Sequence, residues 1–262
     1  MRKIWNNQYE QLRKIGEGAS GRVMLARDLH LNRLVAIKEM DQIREIRREM
    51  ELLKALKHPG LPDIYDYFEE DQHGFLVMEY VEGVTLKEYL EQHGKPELTQ
   101  AVVWMKELLD ILVYLHEQHP AVVYRDLKPA NLIIQEEGHL KLIDLGGAFF
   151  RCHNQSEERV SIGTPGYSAP EQWNGIQADV SCDIFSFGAV AHELLSGVNP
   201  LKPPYERRPV RRYDRRIPVS YEQMIQKCTR EHPKERYASM REVLKALEDC
   251  ETIKRRWKWK GL

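Results

Sequence analysis

Short β-prone runs dominate the beginning of the chain. Residues 9–15, 22–28 and 33–39 are each typical of a strand, because turn residues separate them and apolar or β-branched side chains fill them. The separators are a glycine-rich stretch and the polar turn HLN at 30–32. This pattern predicts an antiparallel meander. The next segment, 43–56, has charges on one face and predicts one helix. Its apolar residues at helical spacing are Ile43, Ile46, Met50, Leu53 and Leu56.

Beyond residue 80 the pattern becomes mainly helical. Two more strand-like runs, 63–68 and 75–81, come before this change, and Gly83 follows them as a bend. Apolar residues at helical spacing then predict helices at 85–92, 99–118, 179–195, 220–229 and 239–250.

These elements predict an α+β fold with two lobes in one domain. The boundaries follow the change of pattern: a small lobe of strands and one helix at 1–80, a larger mainly helical lobe at 81–252, and a basic, aromatic tail at 253–262. With 262 residues, of which 42% are hydrophobic, the chain is long enough to bury a core of this kind. A seam between two lobes is a common place for a ligand cleft.

Composition excludes several classes of protein. The formal net charge of −1 gives no general attraction to nucleic acid, so we expect no nucleic-acid partner. The four cysteines lie far apart without a CxxC pair, which indicates reduced thiols. The first residues are polar and do not form a secretion signal. The most apolar helical stretch, 101–115, carries three charges, too many for a bilayer span. The expected location is the cytoplasm.

A glycine motif and a strand lysine are the first candidates for chemistry. GEGASG (16–21) has the GxGxxG spacing, which by itself also suits a dinucleotide site, since Asp41 lies 20 residues past the last glycine. Such a site needs a helix at the glycines, whereas the pattern predicts strand, turn, strand. A hairpin whose backbone amides approach phosphates fits better. Lys38, in VAIK, lies within a predicted strand, and its simpler interpretation is a strand-edge lysine that reaches solvent.

Two polar segments beside apolar runs supply the other candidates. In YRDLKPAN (124–131), Asp126 can accept a proton, Lys128 can reach the same side, and Asn131 can offer an amide oxygen to a metal. In LIDLGGA (142–148), Asp144 offers a carboxylate for Mg²⁺. A base, a cation and metal ligands are what phosphoryl transfer requires. For any one of these residues, an ordinary polar loop position is the simpler interpretation.

The motifs together resemble a known signature. GxGxxGxV, VAIK, YRDLKPAN, DLG and SAPE, in this order, resemble the motif set of the eukaryotic-like (Hanks-type) protein kinases over residues 9–250, and a bacterial serine/threonine-directed member is expected. The resemblance implies a two-lobed kinase fold that binds ATP between the lobes, with Mg²⁺ or Mn²⁺ as the metal.

The resemblance also implies a role for each matching residue. The residues implied to contact ATP are Gly16, Gly18, Gly21, Val23, Ala36, Lys38, Met78, Glu79, Val81 and Ile133. The implied catalytic residues are Asp126 as base, Lys128 at the γ-phosphate, Lys38 at the α- and β-phosphates, and Glu49 as the partner of Lys38. The implied metal ligands are Asn131 and Asp144.

Three departures from the usual kinase sequence pattern leave alternatives open. Glu49 follows Lys38 by only eleven residues, a short separation, and Glu45 one turn earlier is the alternative partner. Tyr124 stands where histidine is commoner, and Leu145 stands in place of phenylalanine. Both positions resemble members of the stacked apolar column of active kinases, here Leu53, Ile64, Leu145 and Tyr124. Neither change removes a base or a metal ligand, so catalysis is favoured over an inactive or weakly active nucleotide-binding scaffold.

The expected substrate is a serine or threonine hydroxyl of a protein, including the kinase itself. Lys128 resembles the serine/threonine-directed members, and Thr164 matches the threonine that bridges Asp126 and Lys128 in them. Structural rather than chemical roles are expected for Glu171 paired with Arg236, and for Asp183 as a brace of the catalytic loop. The oligomeric state is left open.

Regulation is expected in the activation segment. Arg125, directly before the proposed base, resembles kinases in which this arginine pairs with a phosphate. Ser156 and Ser161 are the expected autophosphorylation sites, Thr164 is expected to be structural, and ordinary loop hydroxyls are the alternative.

Two basic segments have both a simple and a more specific interpretation. IKRRWKWKGL (253–262) is either a solvated helix end or a cytoplasmic segment next to a membrane span, which would tether the kinase. ERRPVRRYDRR (206–216) is either a solvated loop or a docking site for an acidic protein segment, or for an anionic membrane face if the tail is tethered. For docking, the arginines of interest are Arg207, Arg208, Arg211 and Arg212.

Overall fold

The structure is a computed structural model. It describes the backbone of residues 3–18, 21–151, 163–173, 179–203 and 205–259, with side chains as far as residue 252. Within these ranges the chain forms a small lobe built on one sheet and a larger lobe built on helices. The predicted α+β, two-lobed architecture is therefore present.

The small lobe is built on an antiparallel sheet with strand order β1-β2-β3-β4-β6-β5. Its strands are Ile4–Trp5 (β1), Tyr9–Gly18 (β2), Gly21–Asp28 (β3), Arg33–Met40 (β4), Ile64–Glu70 (β5) and His73–Glu79 (β6). One helix, Ile43–Ala55 (α1), follows β4 and packs on β5 and β6.

Alternation along β4 decides which side chains face the interior of the cleft. Val35 and Ile37 are fully buried in an apolar cluster with Trp5 and other residues on one side of the sheet. Ala36 and Met40 point the other way, into the main core of the molecule. Because successive side chains of a strand alternate between faces, Lys38 lies on the same face as Ala36 and Met40.

Helix α1 presents a mixed face to that side of the sheet. Its buried residues are Ile46, Glu49, Leu52 and Leu53. Glu49 is three residues from both Ile46 and Leu52, a spacing that puts it on the packed face of the helix. The apolar residues of this face therefore carry a carboxylate into the interior.

The large lobe is organised around helix α4, in which almost every residue is buried. Its helices are Leu86–His93 (α2), Leu98–His116 (α3), Val180–Ser196 (α4), Val219–Cys228 (α5) and Met240–Trp259 (α6). Short strands lie next to the cleft: Val84–Thr85 (β7), Val122–Val123 (β8), Leu132–Ile134 (β9), Leu140–Leu142 (β10) and Phe149–Phe150 (β11). They form two small antiparallel sheets, β10-β9-β7 and β11-β8.

Most element boundaries differ from the sequence prediction by one or two residues, and three differences are informative. Strand β2 runs through the first two glycines of the motif to Gly18, because pairing with β3 extends to Gly18 opposite Gly21. Strand β1 was not predicted, since two residues are too short to give a pattern. Helix α6 extends to Trp259, nine residues beyond the predicted end and into the basic tail. None of the described helices combines the length and apolar character that a membrane crossing requires.

Candidate active site

Lys38 joins the two lobes at the back of the cleft. It is almost fully buried, and its Nζ lies 2.6 Å from Glu49 Oε2 on α1 and 2.7 Å from Asp144 Oδ1 after β10. Burial acts to lower the pKa of this ammonium, but the charges of Glu49 and Asp144 outweigh it and raise the pKa above its ordinary value. The lysine therefore stays charged. Glu45, the alternative partner, is exposed and lies outside this contact.

Asp126, Lys128 and Thr164 form a second polar group on the large lobe. Lys128 Nζ donates to Asp126 Oδ2 at 2.6 Å and to Thr164 Oγ1 at 3.0 Å. The Thr164 hydroxyl in turn donates to Asp126 Oδ1 at 2.8 Å. Thr164 thus bridges the acid and the lysine, as the resemblance implied. In the sequence, Thr164 lies 36 positions after Lys128 and 38 positions after Asp126.

Two oxygen donors lie beside this group. Asn131 is buried in the short turn Pro129–Asn131, and its amide nitrogen donates to the Asp126 carbonyl at 2.9 Å, so the amide oxygen is the end left as an acceptor. Asp144 has a left-handed backbone, with φ of 63°. This conformation is uncommon for a residue with a side chain and is found most often at functional sites. No group of three or more histidine, cysteine, aspartate or glutamate side chains in the described residues could hold a metal by itself.

Asp183 of α4 fixes the backbone directly before Asp126. This fully buried carboxylate accepts hydrogen bonds from the backbone N–H groups of Tyr124 and Arg125, each at 2.8 Å. The predicted brace is therefore present. His116, at the end of α3, contacts the same carboxylate through Nε2 at 2.8 Å. Sequence reasoning missed His116, because a single histidine at a helix end carries no distinguishing pattern.

Tyr124 does more than pack. It is buried in the main core, and its hydroxyl donates to the carbonyl of Ile143, the residue before Asp144, at 2.6 Å. The tyrosine that replaces the commoner histidine thus ties the loop of Asp126 directly to the segment of Asp144. Leu53, Leu145 and Tyr124 are buried in one apolar core, and Ile64 packs against it, so all four residues of the expected column lie in the same core.

The residues predicted to surround the adenine come from both sides of the cleft. Ala36 on β4 is paired in register with Met78 on β6, and Val23 on β3 packs against the same core. Val81 is buried where the chain leaves the small lobe, and Ile133 is half-buried on β9 of the large lobe.

The glycine motif lies at the tip of the β2–β3 hairpin. Gly16 and Gly18 are on β2, and Gly21 begins β3. Gly21 has φ of 106°, and a Cβ there would lie 2.4 Å from the Glu39 carbonyl oxygen. Only glycine lets β3 approach β4 this closely.

Glu79 connects the end of β6 to the large lobe. Its carboxylate is contacted by Lys141 of β10, with 2.5 Å to each oxygen. Both side chains are largely shielded from solvent. This contact between the lobes was not anticipated from the sequence.

The remaining predictions concern phosphorylation, structural pairing and docking. Ser156 and Ser161 lie outside the described residues. Arg125 donates through Nε to the Gly147 carbonyl at 2.5 Å and lies over the ring of Phe149. Glu171 and Arg236 form the predicted ion pair. Acidic docking at 206–216 stays a prediction.

Comparison with known proteins agrees with this geometry. The sequence model of the protein kinase domain matches residues 9–256. The chain belongs to the protein kinase family. The predicted family and two-lobed kinase fold are thereby confirmed. Among its relatives, the kinase domain is 34% identical over 258 residues to the serine/threonine-protein kinase PrkC of Bacillus subtilis, covering 91% of this chain and 40% of PrkC.

Similar relatives also occur outside bacteria. The kinase domain is 32% identical over 259 residues to Aurora kinase C of Mus musculus, covering 91% of this chain and 90% of that protein. It is 32% identical over 215 residues to the serine/threonine-protein kinase Aurora-2 of Arabidopsis thaliana, covering 79% of this chain and 73% of that protein. The chain spans about two fifths of the length of its bacterial relatives from Bacillus and Clostridium.

Proposed function

We propose that this kinase domain transfers the γ-phosphate of ATP to serine and threonine hydroxyls of proteins, with Mg²⁺ or Mn²⁺ as the metal. The observation that carries the proposal is the assembly of Asp126, Lys128 and Thr164 beside the Lys38–Asp144 contact. Residues from both lobes thereby meet at one cleft. The names of two relatives, PrkC and Aurora-2, support serine/threonine specificity.

Asp126 is the proposed base. Both of its carboxylate oxygens accept hydrogen bonds, from Thr164 and from Lys128, so its orientation is fixed before a substrate arrives. An acceptor hydroxyl that reached the same carboxylate could pass its proton to it as the hydroxyl oxygen attacks the γ-phosphorus, while the bond from that phosphorus to the bridging oxygen breaks and ADP leaves. Lys128, held at the same carboxylate, would add positive charge where negative charge develops.

The oxygen donors fit a divalent cation of the Mg²⁺ type. Magnesium is bound in proteins by one or two carboxylates together with substrate phosphates and water. The Asp144 carboxylate and the Asn131 amide oxygen are donors of this class, and they would hold the metal. The bound metal would neutralise charge on the phosphates. Lys38, kept charged and directed by Glu49, would do the same at the α- and β-phosphates.

The described residues favour turnover over the alternative of an inactive scaffold. Support comes from the proposed base Asp126, the Lys38–Glu49 ion pair and the two proposed oxygen donors, which all lie at the cleft. Leu145 is buried in the core at the position where phenylalanine is usual. Autophosphorylation at Ser156 or Ser161, a cytoplasmic location and a membrane tether remain predictions from the sequence.

The test is the substitution Asp126→Asn, which keeps the size of the side chain and removes the proton acceptor. Transfer of labelled γ-phosphate to a protein substrate should fall by ~10²–10⁴-fold in kcat, because that is the usual contribution of a positioned base. The control is Asp249→Asn, an exposed residue of α6. Wild-type transfer rates in the Asp126 variant would show that the base is wrongly assigned. Chelation of divalent metal should abolish transfer, and added Mg²⁺ or Mn²⁺ should restore it.

A further inference from the structure

A loop of the large lobe reaches back to the segment that contains Thr164. Arg207, in the loop after α4, donates through Nη2 to the carbonyl of Gly166 at 2.6 Å. The two residues are 41 positions apart. The guanidinium also lies over the ring of Phe185 on α4, 5.1 Å from its centroid. Arg207 therefore rests on the central helix while it binds the backbone of Gly166.

A second residue of the same loop, Pro200, packs closely against Gly166. Gly166 has φ of 80°, and a Cβ at this position would lie 2.9 Å from Cβ of Pro200. The next residue, Tyr167, is fixed by a hydrogen bond from its hydroxyl to Glu193 of α4 at 2.5 Å. The backbone at 166–167 is thus held by contacts with the loop and with the central helix.

This backbone lies close to the proposed base. Thr164, two residues before Gly166, donates its hydroxyl to Asp126. A substrate hydroxyl must reach the same carboxylate. Because successive residues of an extended peptide are ~3.3 Å apart, the residues next to the acceptor serine or threonine would run past residues 164–167. The position of Gly166 therefore affects how the substrate residues next to the acceptor pack against this backbone.

Two other arginines of this loop have different partners. Arg208 pairs with Glu206, and Arg216 pairs with Asp214, in each case within the loop itself. Arg207 instead binds a carbonyl oxygen of another segment and is only half-exposed. A charged donor to a carbonyl is among the stronger hydrogen bonds in proteins.

We propose that Arg207 is a positioning residue for the protein substrate: it fixes Gly166, and through it the surface that accepts the residues flanking the phosphorylated serine or threonine. Arg207 thereby helps to determine which protein sequences are phosphorylated. Because this role rests on the proposed phosphate transfer, the experiment must measure that transfer first in the wild-type protein.

The experiment uses Arg207→Met and a library of neutral peptides with a central serine or threonine and varied flanking residues. The variant should change the preference at the positions next to the acceptor. It should also raise KM for the preferred peptide by about fivefold, because it loses one charged hydrogen bond that supports the peptide site without touching the peptide. The values of kcat and of KM for ATP should stay near wild type. Arg215→Met is the control, since it removes the same charge from an exposed position of the same loop.

A second variant separates positioning from folding. In Arg207→Lys an ammonium can still donate to the Gly166 carbonyl, so its peptide KM should lie between those of wild type and Arg207→Met. Wild-type peptide preference and KM in both variants would overturn the role of Arg207 while leaving the proposed function intact. An equal rise in KM for peptide and for ATP would overturn it as well, because that result indicates a general loss of structure. A wild-type protein that phosphorylates no peptide would overturn both proposals.

Discussion

The buried ion pair between Arg236 and Glu171 should be a major source of stability in the large lobe. The Arg236 side chain is completely buried, and the Glu171 side chain is 6% exposed. The guanidinium donates to both carboxylate oxygens of Glu171, at 2.6 and 2.8 Å. It also donates to the carbonyls of Arg230, Ser181 and Glu231 at 2.8–2.9 Å. A single side chain thus joins the segment before α4, the first turn of α4 and the loop after α5.

The perturbation is Arg236→Met, which keeps an apolar stem of similar length and removes the charge. It leaves the Glu171 carboxylate buried without its partner and removes one donor from each of three carbonyls. Removal of one member of a buried pair typically costs about 3–5 kcal/mol, because the remaining charge is neither solvated nor compensated. Since whole domains are stable by only about 5–15 kcal/mol, the loss should be large.

The assay is urea unfolding, with the free energy taken from the midpoint and the slope of the transition. Arg241→Met is the matched control: Arg241 also makes a two-point contact with a carboxylate, that of Glu117, but the two side chains are 65% and 50% exposed. Its loss should cost less than about 1 kcal/mol. The double variant Glu171→Gln with Arg236→Met should recover part of the loss. If Arg236→Met costs no more than Arg241→Met, burial does not determine the strength of this pair.

Two further predictions concern the cleft and the segment beside it. Burial raises the pKa of Glu193 to about 7, above its ordinary 4.5. The folded protein therefore holds the carboxyl proton more tightly than the unfolded chain does. The resulting stabilisation is fully present below about pH 4.5 and is lost as the pH rises through about 7. Urea unfolding between these pH values should therefore show wild type losing on the order of 3 kcal/mol more than Glu193→Gln, and parallel pH profiles would contradict this. Lys141→Met should leave the Glu79 carboxylate without its partner between the lobes. The segment from Glu79 to Val81, where the chain leaves the small lobe, should then shift and raise KM for ATP about threefold, a loss of about 0.7 kcal/mol. Nucleotide titration that gives wild-type affinity would contradict this.

The proposed active-site residues could be predicted because each belongs to a short local motif. Asp126, Lys128 and Asn131 lie within eight residues, and the order of the motifs along the chain identified the family. Glu49 was implied by the resemblance, and the structure puts it on the packed face of α1, three residues from both Ile46 and Leu52. The structure buries Lys38 on the face of Ala36, whereas the simpler interpretation from VAIK alone was a strand-edge lysine that reaches solvent.

Boundaries were predicted less well, because pairing and packing decide where an element ends. The β-strand at Tyr9–Gly18 continues through two glycines that weaken a strand by propensity alone, since β3 supplies partners for their backbone groups. The helix at Met240–Trp259 continues into a segment whose basic composition is equally typical of a solvated tail.

The sequence by itself determined the order of the longer strands and helices, the two lobes, the family and the candidate residues of the cleft, because each of these depends on local periodicity or on a short motif. Only the tertiary structure decided the long-range contacts that the resemblance did not imply. His116 and Asp183, Glu79 and Lys141, and Arg207 and Gly166 are separated by 67, 62 and 41 positions. No local pattern marks such pairs, because a charged or polar side chain has many possible partners until the packing of the lobes brings one of them within hydrogen-bonding distance.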